Sequence, residues 1–115
     1  MKRLFMPMTI FIILYVSILW GYKGTKGYTY KGDGGPSVPA CTVMLCNQMT
    51  AYAETTLTNG MGYYELSVDK AGYYHLWGWK TINDTLWRKI YWGIYLNPMT
   101  SNELLEHDII LEPQP

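Results

Sequence analysis

The chain has 115 residues, with nine Lys and Arg against nine Asp and Glu, so its formal net charge is zero. Two of the basic residues, Lys2 and Arg3, precede a long uncharged run, which leaves the remainder slightly acidic. This balance argues against nucleic acid as a partner, because phosphate binding needs a concentrated basic face. The length suits one domain rather than two.

The first element is an uncharged segment of nineteen residues, 4–22. As a helix it would reach about 28 Å, close to the ~30 Å hydrocarbon core and longer than the usual ~7–15 apolar residues of a signal peptide. Trp20 and Tyr22 fall where an interfacial aromatic belt lies, and no small-x-small pair offers a good cleavage site. Residues 1–22 are therefore predicted to be a membrane anchor, with a cleaved signal peptide as the alternative. Residues 23–26 are predicted to be a short linker.

The leading basic residues also predict an orientation, because the positive-inside rule keeps Lys2 and Arg3 in the cytoplasm. The chain after Tyr22 then lies outside the cytoplasm, as a single-pass membrane protein or, after cleavage, as a secreted or surface protein.

After the linker, short runs rich in β-branched and aromatic residues recur about every ten residues, with Gly, Pro, Asn and Asp between them. Strands are predicted at 28–30, 41–45, 53–58, 62–68, 73–79, 89–96 and 107–113. Residues 101–106 suggest at most one helical turn. The predicted fold class is all-β: a six- to seven-stranded antiparallel β-sandwich over residues 27–115, preceded by one N-terminal transmembrane or signal helix.

Four motifs in this region have a familiar pattern: GPSVPACTVML, TTLTNGMGYYELSV, AGYYHLWGW and HDIILEP. Together they resemble the carboxypeptidase regulatory-like domains of the transthyretin-like β-sandwich group, over about residues 27–113. The matching positions are Pro36, Val38, Pro39, Val43, Leu45, Thr58, Gly62, Tyr64, Leu66, Gly72, Tyr74 and Leu76. The resemblance implies an accessory, cell-surface or assembly module without an active site of its own.

One strand carries the best functional lead. If Tyr64 and Leu66 face the core, the alternation of side chains puts Tyr74 and Leu76 there as well. The opposite face then carries four large rings in a row: Tyr73, His75, Trp77 and Trp79. Three explanations stay open, because a soluble monomer seldom leaves such a patch bare. They are, in order of preference, a protein partner or neighbouring subunit, a covering loop at 81–88, and a sugar that stacks on the rings.

The remaining reactive side chains predict little chemistry. Cys41 and Cys46 are five residues apart and so point to opposite faces of one strand, with Cys41 expected in the core and Cys46 as an exposed thiol open to a disulfide with another chain. The two histidines, His75 and His107, form no recognisable ligand motif, and no catalytic motif is present, so we expect neither an enzyme nor a metal or cofactor site. Asn83 begins an Asn-Asp-Thr glycosylation sequon.

These features predict a non-catalytic, extracytoplasmic accessory or structural subunit. It contacts membrane lipid through residues 4–22 and packs its aromatic face against partner subunits of a larger complex. The alternative is a secreted or surface-displayed binding module or filament subunit that recognises sugar, peptide or its own copies.

Overall fold

The computed structural model describes residues 20–115, which form eight strands and no helix. The strands are β1 (Gly24–Lys31), β2 (Thr42–Asn47), β3 (Ala53–Leu57), β4 (Tyr63–Ser67), β5 (Gly72–Ile82), β6 (Thr85–Leu96), β7 (Leu104–Glu106) and β8 (Ile109–Pro113). The predicted all-β class is confirmed, and a strand lies at each of the seven predicted places. The helical turn suggested for 101–106 is wrong, because residues 104–106 of this segment pair with β1 as strand β7.

Most of the predicted membrane segment, residues 4–19, lies outside the described part of the chain. Residues 20–115 contain no helix of the length and hydropathy that a bilayer crossing needs.

The strands follow one continuous path in the order β3-β2-β5-β6-β8-β1-β4, with β7 beside β1. The path curls into a nearly closed, barrel-like sheet, so that its two end strands, β3 and β4, lie near each other. A purely antiparallel arrangement was expected, but β1 runs parallel to both β7 and β8. Strand β6 ends beside the start of β1, where Leu96 pairs with Tyr22. Strand β7 then begins beside Gly24, so it runs along β1 in the same direction.

The core is built from the side chains that alternate inward along β2, β4, β5 and β8. The expected inward positions are confirmed, since Tyr64, Leu66, Tyr74 and Leu76 are all buried. The Tyr64 hydroxyl donates a hydrogen bond of 2.7 Å to the His107 carbonyl, so this large ring is buried without leaving its polar tip unpaired. Burial raises the pKa of Tyr64.

The chain enters the folded domain with no spacer. The Gly21 N–H donates to Thr100 Oγ1 at 3.0 Å, and the Asn97 N–H donates to the Tyr22 carbonyl at 2.8 Å. Strand β1 begins at Gly24, so the linker predicted at 23–26 is wrong. Trp20 is exposed, whereas Tyr22 is half-buried against the core. Gly21 and Tyr22, which were assigned to the hydrophobic segment, therefore belong to the folded domain.

Tyr52 connects two loops next to this entry point. Its hydroxyl accepts a hydrogen bond from the Asp69 N–H and donates one to Glu54 Oε2, both at 2.8 Å. Burial of the Tyr52 hydroxyl is the largest cause and raises its pKa. The hydrogen bond from Asp69 lowers the pKa, and the hydrogen bond to Glu54 raises it. Together these contacts raise the pKa of Tyr52 to about 12.

The raised pKa of Tyr52 contributes to stability at neutral pH, and this contribution is lost in alkali. We expect Tyr52→Phe to lack it. An unfolded tyrosine titrates near pH ~10, so the folded state holds the Tyr52 proton more tightly. This contribution is complete below pH ~10 and is lost as the pH rises through about 12. Urea unfolding should show that the wild type's advantage over Tyr52→Phe shrinks between about pH 9 and about pH 12. A difference that stays constant with pH would contradict this.

Candidate interaction face

The stripe predicted on β5 lies on the outside of the sheet. Tyr74, Leu76 and Gly78 point into the core, and a Cβ at Gly78 would lie only 2.8 Å from the Ile109 side chain. The alternate positions, Tyr73, His75, Trp77 and Trp79, therefore face outward, in the orientation expected from the alternation.

A covering loop at 81–88, the second of the three explanations, is not what the structure shows. Asn83 and Asp84 form a two-residue turn with φ of 50° and 66°, a conformation that suits the twist of a tight β-hairpin. The chain therefore re-enters the sheet at once as β6, beside β5 rather than over it. This hairpin widens the outer surface instead of burying it. Asn83 itself, the predicted glycosylation residue, is exposed at the tip.

The register of β2 and β6 extends the stripe into a broad surface. Met44 on β2 and Ile90 on β6 lie opposite Trp77, and Arg88 lies opposite Trp79. We call this surface the outer sheet face, and its residues are Met44, Cys46, Tyr73, His75, Trp77, Trp79, Arg88, Ile90, Trp92 and Tyr95. Arg88 is the only Lys, Arg, Asp or Glu among these ten residues. The residues from β2 and β6 were missed in the sequence because periodicity shows which way a side chain points but not which strand lies alongside.

The rings of this face hold one another in place. Tyr73 and Tyr95 have centroids 5.1 Å apart, and the His75 ring lies 4.5 Å from Trp92 and 5.6 Å from Trp77, almost perpendicular to both. Edge-to-face pairs of this kind each contribute about 0.5–1.5 kcal/mol beyond the burial of their area. The face is therefore a pre-arranged surface rather than a set of independent side chains.

A β-bulge directs Trp92 outward. The pairing of β5 with β6 shifts between Tyr74 and Leu76, and Gly93 has a φ of 73°, which favours glycine. The Gly93 N–H, released from the ladder, donates to Gln48 Oε1 at 2.9 Å. Trp92 stays 65% exposed, and Tyr73 53%. The face thus keeps two large rings open to solvent.

The polar atoms of the face belong to its rings and to Arg88. They are the hydroxyls of Tyr73 and Tyr95, the indole and imidazole nitrogens, and one guanidinium. Among the described residues, His75 Nδ1 and Trp77 Nε1 are shielded from solvent and have no hydrogen-bond partner. Arg88 donates to Gln114 Oε1 at 3.3 Å.

A shallow cleft of about 230 Å³ lies at one end of the face. It is lined by Met44, Trp77, Trp79, Leu86 and Arg88. Sites for small ligands usually measure ~300–1,000 Å³. The cleft therefore suits one apolar side chain from another molecule better than a whole ligand.

The two cysteines differ in environment. Cys41 is fully buried, as expected, with its thiol 3.4 Å from the Trp79 carbonyl, and burial raises its pKa. Cys46 was expected to be exposed but is half-buried on the outer sheet face, where it lies between His75 and Ala53 on the neighbouring strands. Both thiols are unbridged.

The histidines are not brought together into a metal centre. His107 packs edge-on against Tyr91 at 4.5 Å between β7 and β8, whereas His75 lies on the outer sheet face. Within residues 20–115, no group of three or more His, Cys, Asp and Glu is arranged to hold a metal ion.

No protein-family model matches the chain, and neither a curated protein nor a solved structure is significantly similar to it. The resemblance to carboxypeptidase regulatory-like domains therefore remains a proposal. The functional proposal is therefore argued from the chemistry of the outer sheet face.

Proposed function

We propose that this chain is a non-catalytic accessory or structural subunit whose outer sheet face packs against another protein subunit of a membrane complex. The observation that carries the proposal is a surface that spans three strands and has Arg88 as its only Lys, Arg, Asp or Glu. Tyr73 and Trp92 on this surface are more than half exposed. Soluble monomers seldom leave such a patch bare. The cores of protein interfaces are depleted in charge and enriched in Trp, Tyr, Met and Arg, which is the composition of this face.

The ring geometry favours a protein over a sugar. Trp77 and Trp79 stand at 84° to each other, and His75 and Trp92 at 80°, so neighbouring rings do not form one flat platform. A sugar also brings many hydroxyl groups, each of which loses free energy if it is left unpaired on burial. The polar atoms of the face are single groups on separate rings together with one guanidinium, and two of them, His75 Nδ1 and Trp77 Nε1, are shielded from solvent. The apolar side chains of a protein surface need no such partners.

The membrane placement is part of the same proposal. Residues 4–19 are uncharged and follow Lys2 and Arg3, a pattern that favours a cytoplasmic N-terminus and an exported domain. Hydrogen bonds at Gly21 and Tyr22 place the residues that follow this segment in the fold. We infer that the domain sits at the outer surface of the bilayer, where other membrane subunits are its neighbours.

We also propose that the finer fold is the β-sandwich of the carboxypeptidase regulatory-like group. Its support is that four of the positions that match the group's motifs, Tyr64, Leu66, Tyr74 and Leu76, all lie in the core. Members of that group serve as non-catalytic modules, which agrees with the role proposed here.

The proposal is tested by removing two rings of the face. We expect the wild-type protein, extracted from its own membrane in mild detergent, to migrate as a complex larger than one chain. Trp77→Ala combined with Trp79→Ala should shift it to the single-chain size while leaving the circular dichroism spectrum unchanged. Tyr28→Ala is the matched control, because Tyr28 is an exposed ring on β1, outside the outer sheet face. A wild type of single-chain size would contradict the proposal, and loss of folding in the double variant would assign the rings to the core.

The secreted alternative is separated by the intact mass of the native protein. We expect residues 1–22 to be present. A mature protein that lacks them would exclude the anchor and favour a secreted or surface-displayed binding module.

A further inference from the structure

The two most exposed large apolar side chains of the described domain are Met49 and Met99, at 87% and 88%. Two exposed rings, Trp20 at 50% and Tyr73 at 53%, accompany them. We call these four residues the entry end, because they surround the point at which the chain enters the fold.

Hydrogen bonds link the segments that carry these four residues at one end of the domain. The Gln48 N–H, next to Met49, donates to the Tyr73 carbonyl at 2.9 Å. The segment around Met99 binds the entering chain, since Thr100 Oγ1 donates to the Gly21 carbonyl at 2.9 Å. The pairing of Gly72 with Leu96 connects the two halves of the cluster.

Both methionines are presented by the same kind of turn. Asn47 Oδ1 accepts a hydrogen bond from the Met49 N–H at 2.8 Å, and Asn97 Oδ1 accepts one from the Met99 N–H at 3.0 Å. Both asparagines are buried. An asparagine that binds the backbone two residues on fixes its loop, so each methionine projects from an anchored position.

We propose that the entry end rests on the lipid bilayer, with Met49, Met99 and Trp20 in the interfacial layer, while the neighbouring Tyr73 remains part of the outer sheet face. This inference depends on the membrane attachment in the proposed function, but not on the protein partner. Its main support is that the uncharged residues 4–19 join the fold at this end. As a helix, those sixteen residues would span about 24 Å, less than the ~30 Å hydrocarbon core. A short span draws its flanking residues toward the membrane, and tryptophan and tyrosine favour the interface.

Charge at the entry end is slightly negative. Lys23 and Lys70 lie near it, together with Glu54, Asp69 and Glu103. Lysine side chains can extend their ammonium groups to headgroups while their stems lie on apolar surface. Because positive charge is not in excess, binding should rely on apolar contact, so a zwitterionic lipid should suffice.

Methionine oxidation provides the test, because the chain contains its own control. Met61 is 69% exposed, but it lies beyond the far ends of β3 and β4, away from the entry end. The full chain is reconstituted in phosphatidylcholine vesicles, its attachment is checked by flotation, and it is then treated with the polar oxidant chloramine-T. Peptide mass spectrometry follows sulfoxide formation at each methionine, at a high and a low ratio of protein to lipid.

We expect Met49 and Met99 to react at least about fivefold more slowly than Met61, because interfacial burial shields apolar groups from a water-borne reagent. Equal or faster reaction than at Met61, as their greater exposure predicts for an end free in water, would overturn the inference. Protection that disappears when the protein is diluted in lipid would also overturn it, since protein contact would then be the cause. Failure to float would overturn both this inference and the membrane anchor. The docking of the outer sheet face has its own test, which is the native size of the variants in that face.

Discussion

Alanine in place of Leu76 is expected to lower the free energy of unfolding by about 2–5 kcal/mol. Leu76 is fully buried in the middle of β5, paired with Leu45 on one side and Tyr91 on the other. Removal of its side chain loses apolar burial and leaves a cavity that the paired strands cannot close. Urea unfolding of the variant and the wild type measures the loss.

Leu57→Ala is the matched control, because it makes the same chemical change on a strand residue that is 62% exposed. Its expected effect is about 0.5 kcal/mol or less. If the two variants lost the same small amount, the inward placement of Leu76, and with it the outward placement of Trp77, would be wrong.

Trp92→Asp is expected to dissociate the complex without unfolding the domain. Trp92 is 65% exposed and its ring pairs with His75, so the substitution should lower the free energy of unfolding by only about 0.5–1.5 kcal/mol, the contribution of that ring pair. In a complex it would place a carboxylate in the apolar centre of the interface and remove a large ring. A loss of about 2 kcal/mol or more, equivalent to about 30-fold weaker association, is expected of such a residue. The native size of the extracted protein, followed on dilution, measures it.

Met61→Asp is the control for the added charge. Met61 is 69% exposed and lies in the loop between β3 and β4, away from the outer sheet face. We expect this variant to keep the wild-type size. Dissociation of both variants would point to an effect of net charge, and dissociation of neither would remove Trp92 from the interface.

The sequence was enough to predict the strands and the direction of their side chains. Alternation alone distinguished the buried Tyr74 and Leu76 from the outward Trp77 and Trp79, since one face of β5 is committed to the core. The residues Asn83 and Asp84 also indicate a turn locally. They do not indicate where the chain goes after the turn. Whether the following residues cover a sheet or join it depends on long-range pairing, which residues 81–88 do not encode by themselves.

The boundary of the hydrophobic segment was misjudged for a related reason. The sequence is uncharged through Tyr22, and hydropathy cannot separate an apolar anchor from an apolar chain that enters a sheet. The deciding contacts come from Asn97 and Thr100, more than seventy residues away. The same holds for Met49 and Met99, which are far apart in sequence and lie at the same end of the domain because Gly72 pairs with Leu96.

Photo-crosslinking from the outer sheet face tests the central claim most directly. A benzoylphenylalanine is introduced at position 92 or, as the control, at position 61, in cells that make the native complex. The account predicts that irradiation gives a discrete product, heavier than one chain, from position 92 and none from position 61. No product from position 92, or equal products from both positions, would contradict a protein partner on this face.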